Sequence, residues 1–212
     1  MELNEYAKEA LRTESVVESV KGVSAPALYS AMKVMIAVGE VLDKMKKRIF
    51  YGKDIDLNAL KDDIESALDS LHDLRTDAEN GNLTNIEQLE MFQDRKGYFT
   101  DVGPQQLAAV DPRILHVVLG IATEGSEIVE AITNQIEGNP LDMVNLSEEI
   151  GDLNWYANGI FPDASGVPHS KYLSTNIVKL AIRYPDKFSS WLALDKNRNL
   201  VEERKVLEAG TK

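Results

Sequence analysis

Apolar residues recur at three- and four-residue intervals through most of the chain, and no run alternates apolar with polar positions as a half-buried strand does. The pattern predicts helices over roughly 3–20, 25–50, 57–78, 84–94, 112–137, 142–160, 172–184 and 199–208, and therefore an all-α fold. Several boundaries have a local cause. Asp111 precedes Pro112, which places an N-cap before a proline in the first helical turn. Gly138-Asn139-Pro140 ends that helix, because glycine accepts the left-handed C-terminal position and proline cannot continue. Asp142 starts the next helix better than Asn145 does, since the apolar run follows it directly. Phe161 to Pro168 reads as a loop, and Pro185 closes the helix before it.

The turn-rich stretch from Asp94 to Val110 reads as a linker. The expected organisation is a helical lobe at 1–94, a linker at 95–111 and a second helical lobe at 112–212. The lobes share a pattern. One inserted residue before Gly52 brings Gly52 onto Gly138, Asp56 onto Asp142, Leu60 onto Leu146 and Ile64 onto Ile150. This is the expected trace of a duplicated helix–turn–helix unit, set against convergence of two amphipathic helix pairs.

Composition narrows the functional classes. The 212 residues carry a net charge of -12, which argues against a general nucleic-acid binder. A small phosphorylated substrate stays possible where divalent cations stand between phosphate and carboxylates. There are no cysteines, which removes disulfides, thiolate metal sites and cysteine nucleophiles. No uninterrupted apolar run reaches the roughly 20 residues of a membrane helix, and the N-terminal sequence lacks the basic-then-apolar order of a secretory signal. The expectation is a cytoplasmic protein without a membrane partner.

The candidate chemistry lies in two acidic pairs, Glu124/Glu127 and Glu149/Asp152. With 35 acidic residues, an i,i+3 acidic pair is weak on its own; Glu2/Glu5, Asp62/Glu65 and Glu87/Glu90 read as solvated faces. Position around the helix separates the two candidates from these. Ile114, Val117, Val118, Ile121, Ile128 and Ile132 form one apolar arc, and Glu124 and Glu127 lie at its edge, on a strip shared with His116, Gly120 and Ala131. On the following helix Glu149 falls inside the arc of Met143, Leu146, Ile150 and Leu153, with Asp152 just beyond. A buried carboxylate must be protonated, paired or bound to a cation. Two antiparallel helices would face these acids toward each other, as oxygen donors for Mg²⁺ or Mn²⁺. Ion pairs with lysines of other helices are the alternative.

Glu124-Gly-Ser-Glu127 followed by Glu149-Ile-Gly-Asp152 resembles the paired ExxE and ExxD motifs of the MazG-like all-α nucleoside triphosphate pyrophosphohydrolases of bacteria and their phages. LHVVLGIATEGSEIVEAI, VNLSEEIGDLNWYA and NIVKLAIRYPDKF extend the resemblance from Leu115 to Leu207. It implies a MazG-like helical bundle hydrolysing NTPs or dNTPs to the monophosphate and pyrophosphate, with Glu124, Glu127, Glu149 and Asp152 as catalytic Mg²⁺ ligands. It implies a homo-oligomer, expected to be a dimer, in the host cytoplasm if the chain is phage-encoded. The first lobe has Ala37, Glu40, Asp63 and Ser66 at the matching positions, so it reads as a degenerate copy.

Asn176, Lys179 and Arg183 share a helical face at i, i+3 and i+7, and the resemblance makes them nucleotide contacts. Lys179 and Arg183 would neutralise phosphate oxygens, with Lys171 a weaker candidate and His116 a further site residue. Other chemistries lack their residues. There is no phosphate loop of the G-x-x-x-x-G-K-[ST] kind, His72-Asp73 has no preceding histidine to complete a phosphohydrolase site, and no Glu-x-x-His pair serves a di-iron centre. The rival function is a non-catalytic nucleotide-binding or dimerisation module of the same fold.

Overall fold

A computed structural model of the chain describes residues 2–83 and 103–211. The regular elements among them are all helical, as the apolar period requires. They are α1 (Leu3–Leu11), α2 (Ala25–Tyr51), α3 (Leu57–Glu79), α4 (Pro104–Ala108), α5 (Pro112–Ile136), α6 (Met143–Asn154), a π-helical segment Trp155–Ile160, α7 (Phe161–Ser165), α8 (His169–Arg183), a 3₁₀ turn Asp195–Asn197 and α9 (Leu200–Thr211). The predicted helix 84–94 and residues 95–102 of the predicted linker lie outside the described residues.

Contacts group the chain into two units, Ser19–Val110 and Met1–Glu18 with Asp111–Lys212. The first residues therefore group with the second half of the chain, where the sequence pattern placed them in a lobe with α2 and α3. α1 also stops at Leu11 instead of running to residue 20. Ser15, Val16 and Val17 are poor helix formers, and Thr13 turns its hydroxyl to the Ala10 carbonyl at 2.9 Å.

Within the 19–110 unit, α2 and α3 form an antiparallel pair. Ser24 caps α2 by accepting the Ala27 N–H at 3.2 Å. Gly52 ends it at φ 66°, and Asp56 caps α3 by accepting the N–H groups of Asn58 and Ala59. The buried residues on these helices are small: Ala25, Ala27, Ser30 and Ala37 on α2, Ala67 on α3. Lys44 pairs with Asp63 across the two helices. The short α4 occupies part of the predicted linker, its first turn closed by Gln106 accepting the Gly103 N–H at 2.9 Å.

The other unit is built on α5 and α6. Asp111 caps α5 and Asp142 caps α6, each accepting two backbone N–H groups, and Gly138 turns the chain between them at φ 98°. The predicted helix 142–160 is not uniform. Asn154 donates its side-chain amide to the Ile150 carbonyl at 2.7 Å, and Asn158 donates to Asn154 at 2.6 Å. These side chains compete with the backbone ladder where it widens into the π segment. The helix then continues as α7 where a loop was predicted, with Pro162 in the first turn, where a missing N–H is tolerated. α1 packs on the π segment so closely that a Cβ at Gly159 would stand 2.5 Å from that of Ala10.

α8 and α9 are joined by a buried ion cluster. Glu203 is 3% exposed and accepts Arg183 at 2.5 Å and Arg198 at 2.8 Å. Hydrogen bonds from Arg183 and then Arg198 lower the Glu203 pKa from 4.5 to about 2. A depressed carboxyl contributes stability that is complete above its unfolded value and is lost as pH falls through the folded one. The urea midpoint of the protein is therefore expected to drop between pH 4.5 and about 2, and Glu203→Gln to flatten that part of the profile.

Candidate metal centre

α5 and α6 run antiparallel, and the acidic strip of one faces that of the other. Carboxylate oxygens of Glu124, Glu127 and Glu149 lie within 4.8 Å of one another. Glu124 is half-buried and Glu127 exposed, while Glu149 is only 7% exposed. Burial, then the charges of Glu127 and Glu124 and the hydrogen bonds shared with them, raise the Glu149 pKa above its ordinary value. Among the described residues no lysine, arginine or histidine pairs with any of the three. The ion-pair alternative raised by the sequence therefore has no partner among the described residues. Three converging oxygen donors, one of them buried among like charges, fit a hard divalent cation in donor type and in charge.

Asp152 is not among the acids whose oxygens meet within 4.8 Å. It is exposed one turn beyond Glu149, and its charge helps raise the pKa values of Tyr6 and Tyr156, in both of which burial is the larger cause. The sequence pattern placed Asp152 with the other three; the structure brings together Glu124, Glu127 and Glu149. Beside them a cavity of about 440 Å³ opens near the α5–α6 turn, lined by Glu127, Glu149, Asp142 and the carboxamides of Asn134, Asn139 and Asn145 among others.

On the opposite side of the carboxylates lies an aromatic group. His116 meets Tyr156 edge-on at 5.4 Å and Trp155 at 6.1 Å, and Trp155 meets Tyr156 at 4.8 Å. Tyr156 occupies the space above Gly120, where a Cβ would come within 2.2 Å of its ring. Trp155 donates its indole N–H to Thr13 at 3.0 Å, and Tyr6 donates its hydroxyl to the Gly151 carbonyl at 3.4 Å. His116 is thus packed against the Tyr156 and Trp155 rings. Tyr6 was not foreseen, because its approach to α6 depends on how α1 docks. Gly120→Ala is expected to displace the Tyr156 ring and cost about 1–3 kcal/mol, read as a lower urea midpoint with loss of near-ultraviolet ellipticity.

α8 carries the predicted phosphate contacts. Lys179 donates to Asn176 at 2.5 Å, and Arg183 is engaged with Glu203. Lys171 is half-buried in the first turn. Tyr172 ties this helix to the π segment, donating to the Ala157 carbonyl at 2.8 Å. None of Asn176, Lys179, Arg183 and Lys171 hydrogen-bonds to the carboxylate cluster among the described residues.

The α2–α3 pair supplies an internal contrast. At the positions matched to the acids, Ala37 is buried, Glu40 exposed, and Asp63 neutralised by Lys44. An acidic group there has a lysine where, among the described residues, the α5–α6 acids have none. Comparison with family models, with curated proteins and with solved structures found no match.

Proposed function

We propose that the protein is a Mg²⁺-dependent pyrophosphohydrolase that converts a nucleoside or deoxynucleoside triphosphate and water to the monophosphate and pyrophosphate. The observation that carries this reading is Glu149, buried against two other carboxylates with no cationic side chain paired to it among the described residues. The likeness of Glu124-x-x-Glu127 and Glu149-x-x-Asp152 to the MazG-like motifs gives that geometry its reaction. Glu124, Glu127 and Glu149 would hold Mg²⁺, with Mn²⁺ as a substitute, and Asp152 would serve from the adjoining turn. When bound, the cation would polarise phosphate oxygens and lower the pKa of water. Lys179 and Lys171 would offset charge on the leaving pyrophosphate, and Arg183 could join them only by sharing its guanidinium with Glu203. His116 would lie at the nucleoside end of the same strip. The setting proposed is the cytoplasm.

The second reading, a non-catalytic nucleotide-binding module, draws on the pairing of Arg183 with Glu203. The test is pyrophosphate release from a panel of NTPs and dNTPs with Mg²⁺ or Mn²⁺. Metal-dependent release from at least one nucleotide supports the enzyme. Folded protein that binds nucleotide without releasing pyrophosphate supports the module instead.

A further inference from the structure

The cavity beside the carboxylates has a regular lining. On α5, Glu127, Glu130 and Asn134 line it at i, i+3 and i+7; Asp142, the cap of α6, lines it with Asn145 and Glu149 at the same intervals. Residues so spaced share one face of a helix. The two helices are antiparallel, and the register that sets Glu127 against Glu149 sets Glu130 against Asn145 and Asn134 against Asp142. The cavity is thus a ladder of three rungs. Each rung has at least one carboxylate, and the two nearer the turn also hold a carboxamide. The small, buried Ala131 lines it as well, and no lining residue is basic.

That charge has no counterpart nearby along the chain. From Ile114 to Ser170 the sequence holds nine acids and no lysine or arginine. Among the described residues none of Glu127, Glu130, Asp142 and Glu149 forms an ion pair with a basic side chain. Glu149, only 7% exposed, lines the cavity and shares hydrogen bonds with Glu127 and Glu124 alone among acids. A buried carboxylate among like charges calls for a cation from outside.

The shape of the cavity says which cation. A metal ion needs donors that converge, and Glu130 and Asp142 are not among the acids whose oxygens meet within 4.8 Å. At about 440 Å³ the cavity has room for about fifteen waters, well beyond one hydrated ion. Its rungs follow one another along α5 at about 4.5 and 6 Å, from the helical rise. The geometry points to a linear polyamine with three ammonium groups, lying along the α5–α6 hairpin with one ammonium on each rung. Ammonium groups separated by three and by four methylenes match the three- and four-residue steps along α5. Each donates charge-assisted hydrogen bonds to a carboxylate, and the carboxamide oxygens of Asn134 and Asn145 accept from the remaining N–H groups. The first rung belongs to the metal centre too, so polyamine and Mg²⁺ compete for Glu127 and Glu149. The site stands on the lining of the cavity and holds whether or not the carboxylates are catalytic.

The test is calorimetric titration of the metal-free full chain with spermidine in about 0.15 M NaCl, where diffuse attraction is screened. One saturable site is expected. Glu130→Gln should weaken it about fivefold, the upper end for a single exposed ion pair. Asn145→Asp adds a carboxylate to the middle rung and should tighten it. Glu148→Gln removes an acid of the same hairpin outside the cavity and should change it less than about twofold. Putrescine, with two ammonium groups, should bind at least about tenfold more weakly, and saturating Mg²⁺ should displace spermidine. Helical ellipticity is expected to be unchanged in each variant. The inference is overturned by the absence of a saturable site, by equal losses in Glu130→Gln and Glu148→Gln, or by putrescine binding as well as spermidine. Binding that saturating Mg²⁺ does not weaken also overturns it. No nucleotide is present, so a protein that releases no pyrophosphate can still pass every arm.

Discussion

Replacing Glu149 by Gln is expected to reduce metal-dependent pyrophosphate release by at least about a hundredfold, since even groups that only orient metal ligands are worth ten- to a hundredfold. The same change is expected to make the metal-free protein more stable at neutral pH. Burial and the neighbouring Glu127 and Glu124 raise the Glu149 pKa, so the native state keeps that proton to higher pH than the unfolded chain does. Stability from this group is therefore complete below the ordinary value of 4.5 and is lost as pH rises through the raised one. Gln keeps the position neutral throughout. Urea unfolding near pH 7 with and without Mg²⁺ separates the two effects. The native protein should gain stability on adding Mg²⁺, and Glu149→Gln should start higher and gain little. A variant that still responds to Mg²⁺ as the native protein does would place the cation elsewhere.

The second large effect is at Arg113, remote from the carboxylates. Its guanidinium reaches Glu14 through two hydrogen bonds, at 2.7 and 2.6 Å, and Asp163 at 2.9 Å. The Glu14 side chain is 3% exposed. Arg113 thus ties the segment after α1 to the start of α5 and to α7. Arg113→Ala would leave a buried carboxylate without its partner, and a loss of about 3 kcal/mol is expected, most of it from Glu14. Asp163 is more than half exposed and contributes little by comparison. The measurement is the urea midpoint at neutral pH. The double variant Arg113→Ala with Glu14→Gln should recover part of the loss, because the stranded charge is then absent. No recovery would mean that lost packing of the arginine stem dominates.

How the sequence maps onto these sites depends on the range of the interaction. Helix ends were legible because their causes are local. Asp111, Asp142 and Asp56 cap within three residues, and Gly52 and Gly138 take up the positive φ that a turn demands. The gathering of Glu124, Glu127 and Glu149 was legible for a related reason: two strips on consecutive antiparallel helices must face each other once the turn is fixed. The exposure of Val118, Ile121 and Ile132 was not, because periodicity marks an apolar face without saying what covers it.

The sequence alone therefore determined the helical class, the hairpin ends and the strip of acids, all of which depend on residues close along the chain. Tertiary structure alone decided the rest. It gave Arg183 to Glu203, placed Tyr6 over Gly151 and grouped α1 with residues 111–212. Each of these depends on a partner far away in sequence, and the charge and shape of that partner are felt only once the backbone has brought the two together.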